Sequence, residues 1–403
     1  MGIFLLMTFS VFQMERKFKK ERKQRADENL RLKQDESRFF KAIKEGEENI
    51  VEDLLKDEIF VAHLQEMDKL SLAFVQVVLL NNVKLLKILL NHGIDVHATD
   101  SMFEENGIMH AVRYGHIEML ECLLSCGLGI NYQSENGSTA LHVAVENGKH
   151  DCLKYLVNLK GIDLNIKDCS GYSPLLWTAR LRDWRAMEVL INAGCNIDSI
   201  DFCKGITCLH VVVDQERAFW KGRNASPQDI KKCIDLLVNG GIKINKGDVY
   251  GNSALIYAVK SNNLPAVRRL LQLNCDIENC SQASNAGMPY YFHKNLAGSQ
   301  SSLFPLYIAM ARLQASSVKM LCAAGAQYHL LAREPNILTF LESASPGMKS
   351  MLEEMVFNPM SLRQACRIAV RKSIKGNILE TAAELQLPVS LEKFICLDDI
   401  NNT

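Results

Sequence analysis

The chain has 403 residues, with 46 Lys+Arg against 46 Asp+Glu and no formal net charge. That balance excludes a global electrostatic pull toward nucleic acid or a membrane surface. The 13 cysteines are scattered with no Cys-x-x-Cys pair, which argues against a zinc ribbon or a disulfide framework and for small core residues in a reducing compartment.

Residues 1–13 hold a short apolar run, Ile3 to Met7 with Phe9, Val11 and Phe12. It is too short to span a bilayer and lacks the basic start and small-residue site of a signal peptide. Arg16, Lys17, Lys19, Lys20, Arg22, Lys23 and Arg25 follow, with Glu15 and Glu21 among them. Such a block reads first as a solvated surface. Residues 1–38 are therefore expected to be a charged extension, either a solvated helix or a disordered tail.

From residue 39 the pattern becomes helical. Phe39, Phe40, Ile43, Val51, Leu54 and Leu55 predict a first helix pair with a charged outer side. Residues 70–90 predict a second, and Ala111 to Leu124 a third. The fourth is the clearest. Gly137 supplies a turn, Thr139 caps a helix running through Leu141 to Val145, and Asn147-Gly148 ends it. Leu153, Leu156 and Val157 mark a second short helix, closed at Gly161. Gly137, Gly171 and Gly205 open successive units at 34-residue spacings, and Gly251 follows after 46, one period plus an insertion. The insertion is placed at residues 215–229, between two helices of one unit. A long connection occupies residues 279–303, and an eighth unit follows from Pro305 to Gly325. Two short helices cannot bury their apolar faces alone, so each unit needs neighbours.

The residues Gly137-Ser-Thr-Ala-Leu-His142, Gly171-Tyr-Ser-Pro-Leu175 and Gly205-Ile-Thr-Cys-Leu-His210 resemble the ankyrin repeat. The expected fold is all-α: an ankyrin solenoid of about eight helix-turn-helix units over residues 39–333. Residues 334–358 are expected to add divergent capping helices. His142 and His210 recur at the repeat period, which predicts a structural bond to the turn rather than catalysis or metal binding. The unit-end residues Asp95, Asp163, Asn165, Asp198, Asn245 and Asp276 read as turn formers rather than paired acids. There is no Gly-rich phosphate loop, Gly-x-Ser-x-Gly elbow or His-Glu-x-x-His motif. No catalytic residue, metal ligand or cofactor is expected.

At the C-terminus, Ser361 caps a helix on which Leu362, Cys366 and Val370 fall within about 80° of arc. Ala365, Ile368 and Ala369 widen that apolar side, while Arg363, Arg367 and Arg371 line another. Two more short helices follow, over residues 378–385 and from Ser390. Residues 359–398 resemble the SOCS box, and their place after ankyrin repeats resembles the ankyrin-repeat and SOCS-box family. Ser361, Leu362, Cys366 and Val370 match that family's elongin-binding motif. The resemblance implies that Leu362 enters a pocket on elongin C with Cys366 beside it. The cullin-contacting motif, Leu-Pro-aliphatic-Pro in the family, is matched by Leu385, Leu387 and Pro388, with Gln386 in place of the first proline. The implied function is client recruitment for an elongin B/C–cullin–RING ubiquitin ligase, with cullin-5 as the cullin, in the cytoplasm and also the nucleus. The alternative is a scaffold that bridges partners without ubiquitylation. Client contacts are expected on the concave face and turn fingers, with Tyr290, Tyr291 and Phe292 in the long connection and Trp220 in the insertion. No nucleic acid or membrane partner is expected.

Overall fold

The computed structural model describes residues 2–100, 102–215, 226–277, 304–312, 314–326, 346, 350, 362–374, 377–385, 391, 393 and 395–397, with side chains from residue 17 onward except at 304, 307, 311, 362–365, 372, 379 and 383. Among the described residues there are helices and turns but no strand, only two isolated bridges, Thr99 with Asn106 and Ile200 with Thr207. The chain divides into two compact units, Met1–Cys152 and Leu153–Thr403.

The first unit opens on α1 (Gly2–Glu45), a single helix of 44 residues. The charged extension and the first apolar pair member are thus one element. Its surface is exposed from Lys17 to Arg31, and burial begins at Leu32 and then Phe39, Ala42 and Ile43. Phe39 meets Phe40 and Phe60 edge-on, at 5.5 and 5.7 Å between ring centres. Then come α2 (Glu48–Leu55), α3 (Glu58–Glu66), α4 (Lys69–Leu79), α5 (Val83–Asn91), α6 (Gly107–Tyr114), α7 (Ile117–Ser125) and α8 (Ala140–Glu146). Helix α6 packs against α4, α7 and α8. The helix α9 (His150–Val157) crosses the division.

The second unit holds α10 (Pro174–Leu181), α11 (Trp184–Asn192), α12 (Cys208–Val213), α13 (Pro227–Asn239), α14 (Ala254–Lys260), α15 (Leu264–Gln272), α16 (Phe304–Ala311), α17 (Ala315–Ala324), α18 (Leu362–Ser373) and α19 (Ile378–Glu384). Helix α12 contacts α10, α13 and α14; α14 contacts α15 and α16; α17 contacts α15 and α18. First helices touch first helices and second touch second, so each short pair finds cover in the next.

The turns explain the sequence period. Asp168 Oδ1 accepts from the N–H groups of Ser170 and Tyr172 at 2.9 and 2.8 Å, and Trp177 Nε1 donates to its Oδ2 at 2.7 Å. Asp248 repeats this with Tyr250 N, Asn252 N and the Tyr257 hydroxyl. Gly171 has φ 81°, and a Cβ there would lie 2.4 Å from Phe202 N, so only glycine fits. The histidines do what their recurrence predicts. Thr207 N donates to His210 Nδ1 at 3.2 Å, and His210 Nε2 lies 2.9 Å from Asn252 O. An accepting Nδ1 puts the proton on Nε2, which donates to the next unit. Thr139 and His142 form the same capping box.

The insertion starts from a fixed point. Arg182 has φ 53°, where Gly148 stands at φ 63° in the preceding unit. Its Nε donates to Val212 O at 3.0 Å and its Nη2 to Asp214 O at 3.2 Å. From the other side Ser261 Oγ and Asn263 Nδ2 donate to Val213 O at 3.2 and 2.9 Å. The carbonyls left open by the early end of α12 are therefore received. The insertion is shorter than expected. Ser226 caps α13 through a box with Asp229, and Pro227 holds the first helical position. Residues 227–229 belong to the helix, because Ser-Pro-x-Asp satisfies its first N–H groups.

Two outcomes follow from these contacts. Arg182→Gly removes the strained backbone but leaves the α12 carbonyls open. It should destabilise the protein by about 1–3 kcal/mol in urea unfolding, and unchanged stability would contradict the capping role. Burial holds the His210 pKa below its ordinary 6.5, against the pull of Asn252 O and Asp248. Stability is then complete above about pH 6.5 and lost as pH falls toward the folded-state pKa, by at most about 1.4 kcal/mol per pH unit. His210→Gln should flatten that slope in melts between pH 7.5 and 5.5.

Candidate functional site

The candidate site lies on α18. Its inner edge is charged, not apolar. Arg367 and Arg371 are 6% and 3% exposed, and Ile374 is buried. Its outer edge is the expected contact edge: Cys366, Ala369 and Val370 are exposed, Val370 to 39%. Ile368 lies between, half-buried beside Gly325. Leu362 is the first residue of the helix, one turn before Cys366.

Arg371 sets this orientation. Its Nη2 donates to Leu271 O at the C-terminal end of α15, and its Nη1 donates to Ile395 O at 2.8 Å. A helix C-terminus carries partial negative charge, which compensates a buried guanidinium. Burial lowers the Arg371 pKa to about 10, so the side chain stays charged at neutral pH. Two amides complete the joint: Asn274 Nδ2 donates to Ile374 O at 2.9 Å, and Gln272 Nε2 to Cys396 O at 3.3 Å. Behind the joint, Ile374, Ile378, Ala382, Ile395 and Cys396 form a small core of their own. Burial pushes the Cys275 thiol beside it up to about 12, which keeps it protonated and inert.

The second expected patch is partly described. Leu385, just past α19, is 61% exposed. Ser361, Leu387, Pro388, Tyr290, Tyr291, Phe292 and Trp220 lie outside the described residues, as does most of the stretch read as capping helices.

One group has metal-ligand composition among the described residues: Asp100, Glu105 and His110, with donor atoms within 4.8 Å of one another. Each is already engaged. His110 Nε2 lies 3.0 Å from Asp100 Oδ2, and Glu105 pairs with Arg113. Burial works against the Asp100 carboxylate. The N–H groups of Phe103 and Met102, with the His110 ring, outweigh it and lower its pKa. Asp100–His110 thus braces a turn as Asp168–Trp177 and Asp248–Tyr257 do. The twelve cysteines among the described residues are free thiols, and no helix there is long and apolar enough to cross a membrane.

Sequence reasoning missed the inward arginines. Leu271 lies 100 residues before Arg371, so no local pattern announced the contact.

Comparison with known families places ankyrin repeats (3 copies) at residues 70–168, 108–201 and 224–281, and a SOCS box at 358–396. The chain is similar to the putative ankyrin repeat protein FPV034 of fowlpox virus, 31% identical over 150 residues, covering 36% of this chain and 32% of that one. It also resembles ankyrin repeat protein nuc-2 of Neurospora crassa, at 23% over 216 residues, covering 48% and 20%. A third relative is the B-cell lymphoma 3 protein homolog of Mus musculus, at 34% over 103 residues, covering 26% and 22%. The chain spans about a third or less of the length of these relatives.

Replacing Arg371 tests the joint. Arg371→Met should speed hydrogen exchange across residues 362–373 by about tenfold or more while α10 and α14 keep their protection. Unchanged exchange in α18 would remove Arg371 as its anchor.

Proposed function

This chain belongs to the family that joins ankyrin repeats to a SOCS box, and from that premise we propose that it recruits clients to an elongin B/C–cullin–RING ubiquitin ligase. It performs no bond chemistry itself. It holds a client near a ubiquitin-loaded enzyme brought by the RING partner, which raises local concentration. The observation that carries the reading is the outward Cys366–Val370 edge of a helix whose other edge is already docked. An apolar edge in that position is available to another subunit.

In this reading Ser361, Leu362, Cys366 and Val370 contact elongin C. Leu385, Leu387 and Pro388 contact the cullin, taken as cullin-5, with Gln386 as the departure from the family pattern. The repeats bind the client, with the 279–303 connection and the Trp220 insertion as further contacts. The complex works in the cytoplasm.

Charge on the apolar edge is the direct test. Leu362→Asp and, separately, Val370→Asp should each weaken elongin B/C co-purification by about a hundredfold without changing the melting of the repeats. Retained elongin binding in both variants would leave only a scaffold that bridges partners.

A further inference from the structure

In the described repeats of the second unit, residues 153–326, three large apolar side chains are exposed: Phe202 at 66%, Val249 at 54% and Tyr250 at 37%. All three lie on the finger turns that open repeats, none on a helix. Phe202 and Val249 are also held in place. The Phe202 ring covers Gly171, with ring carbons 2.5 and 2.7 Å from where a Cβ would stand. Val249 covers Gly205 in the same way, its Cγ1 at 3.1 Å. Val249 N donates to Lys204 O at 2.9 Å, so one finger is hydrogen-bonded to the next. Each finger tip thus sits on the glycine of the finger before it, and the apolar tips form a fixed ridge.

Within the tip segments 167–171, 201–205 and 246–250, the charged residues that are not buried are all lysines. The finger aspartates Asp168, Asp201 and Asp248 are buried. Their Oδ1 atoms accept from backbone N–H groups: Ser170 and Tyr172, Lys204 and Ile206, Tyr250 and Asn252. The lysines of the same turns face the other way. Lys167 Nζ sits 4.9 Å from the centre of the Phe202 ring and donates to Ile200 O at 2.6 Å. Lys204 is exposed and Lys246 half-buried. This is not a property of the repeat as such, since the turns of residues 100–138 expose Glu104 and Glu135 instead. Apolar tips flanked by ammonium groups match a ligand with aliphatic or aromatic side chains beside carboxylates.

We propose that the ridge of Phe202, Val249 and Tyr250, flanked by Lys167, Lys204 and Lys246, is the docking surface for an acidic, apolar-bearing segment of the client protein. The proposal rests on the reading of the repeats as the client-binding part and adds the chemistry of what they take. A nucleic acid is the less favoured occupant. Three lysines supply little phosphate contact, and the chain carries no net charge to add to it.

The test selects peptides from a random library of about twelve residues, displayed on phage, against the full chain. Selected peptides should carry net negative charge with interspersed aliphatic or aromatic residues. Their synthetic copies should bind more weakly as salt rises. Phe202→Ser combined with Val249→Ser should weaken binding by about tenfold or more. Lys204→Glu should do so independently, with the melting temperature unchanged because each side chain is exposed. Neutral or basic winners, no enrichment, unaltered binding in the variants, or displacement by single-stranded DNA would overturn the proposal. Elongin B/C binding is measured on the same preparations. If it fails while peptides still bind as expected, the adaptor reading falls and the ridge stands; the opposite pattern removes the ridge alone.

Discussion

A guanidinium laid against the open end of another helix decides what this protein shows to its surroundings. Arg371 gives its N–H groups to Leu271 O and Ile395 O. Once those bonds form, the helix Leu362–Ser373 has one rotation left to it. The arginine edge goes in, and the edge with Cys366 and Val370 goes out. An apolar docked edge would have held the helix equally well by burial, but it would have consumed the residues a partner needs. The charge is tolerated because a helix C-terminus receives it, and because Nη1 and Nη2 each find a carbonyl.

The same economy recurs at Arg182. There too a buried arginine reaches the last carbonyls of a helix in the following unit, Val212 and Asp214. Helices of six to nine residues leave most of their terminal polar groups unpaired, so a protein built from them must settle helix ends one by one. Thr139 with His142, Thr207 with His210 and Ser226 with Asp229 settle the starts. The turn aspartates settle the fingers, and in doing so withdraw their charge from the surface around Phe202 and Val249.

Much of this was legible in the sequence because it is local. The 34-residue spacing of Gly137, Gly171 and Gly205 follows from a turn that only glycine can make under a neighbour's Phe202. The Leu-His pairs follow from one capping geometry used twice. What was not legible depends on distance. Arg363, Arg367 and Arg371 read only as a second face of the helix, since nothing near them names Leu271 as a partner. Arg182 occupies a glycine position, and only the carbonyls thirty residues on explain it. The start of α13 was legible and was overlooked: Ser226-Pro227-Gln-Asp229 is a helix start in plain sequence terms. At the N-terminus, the basic block and Phe39–Ile43 share one helix because nothing between them breaks it, no proline or glycine standing between Ile3 and Glu45.

The orientation of the tail helix is most directly read at Cys366, by the rate at which its thiol is alkylated with and without elongin B/C. Cys169 and Cys203, both exposed, serve as internal references. Cys366 should react as readily as they do in the free chain and become protected when elongin B/C is added, while the references continue to react. A Cys366 that is inert in the free chain, or equally reactive with elongin B/C present, would contradict an outward edge kept for that partner.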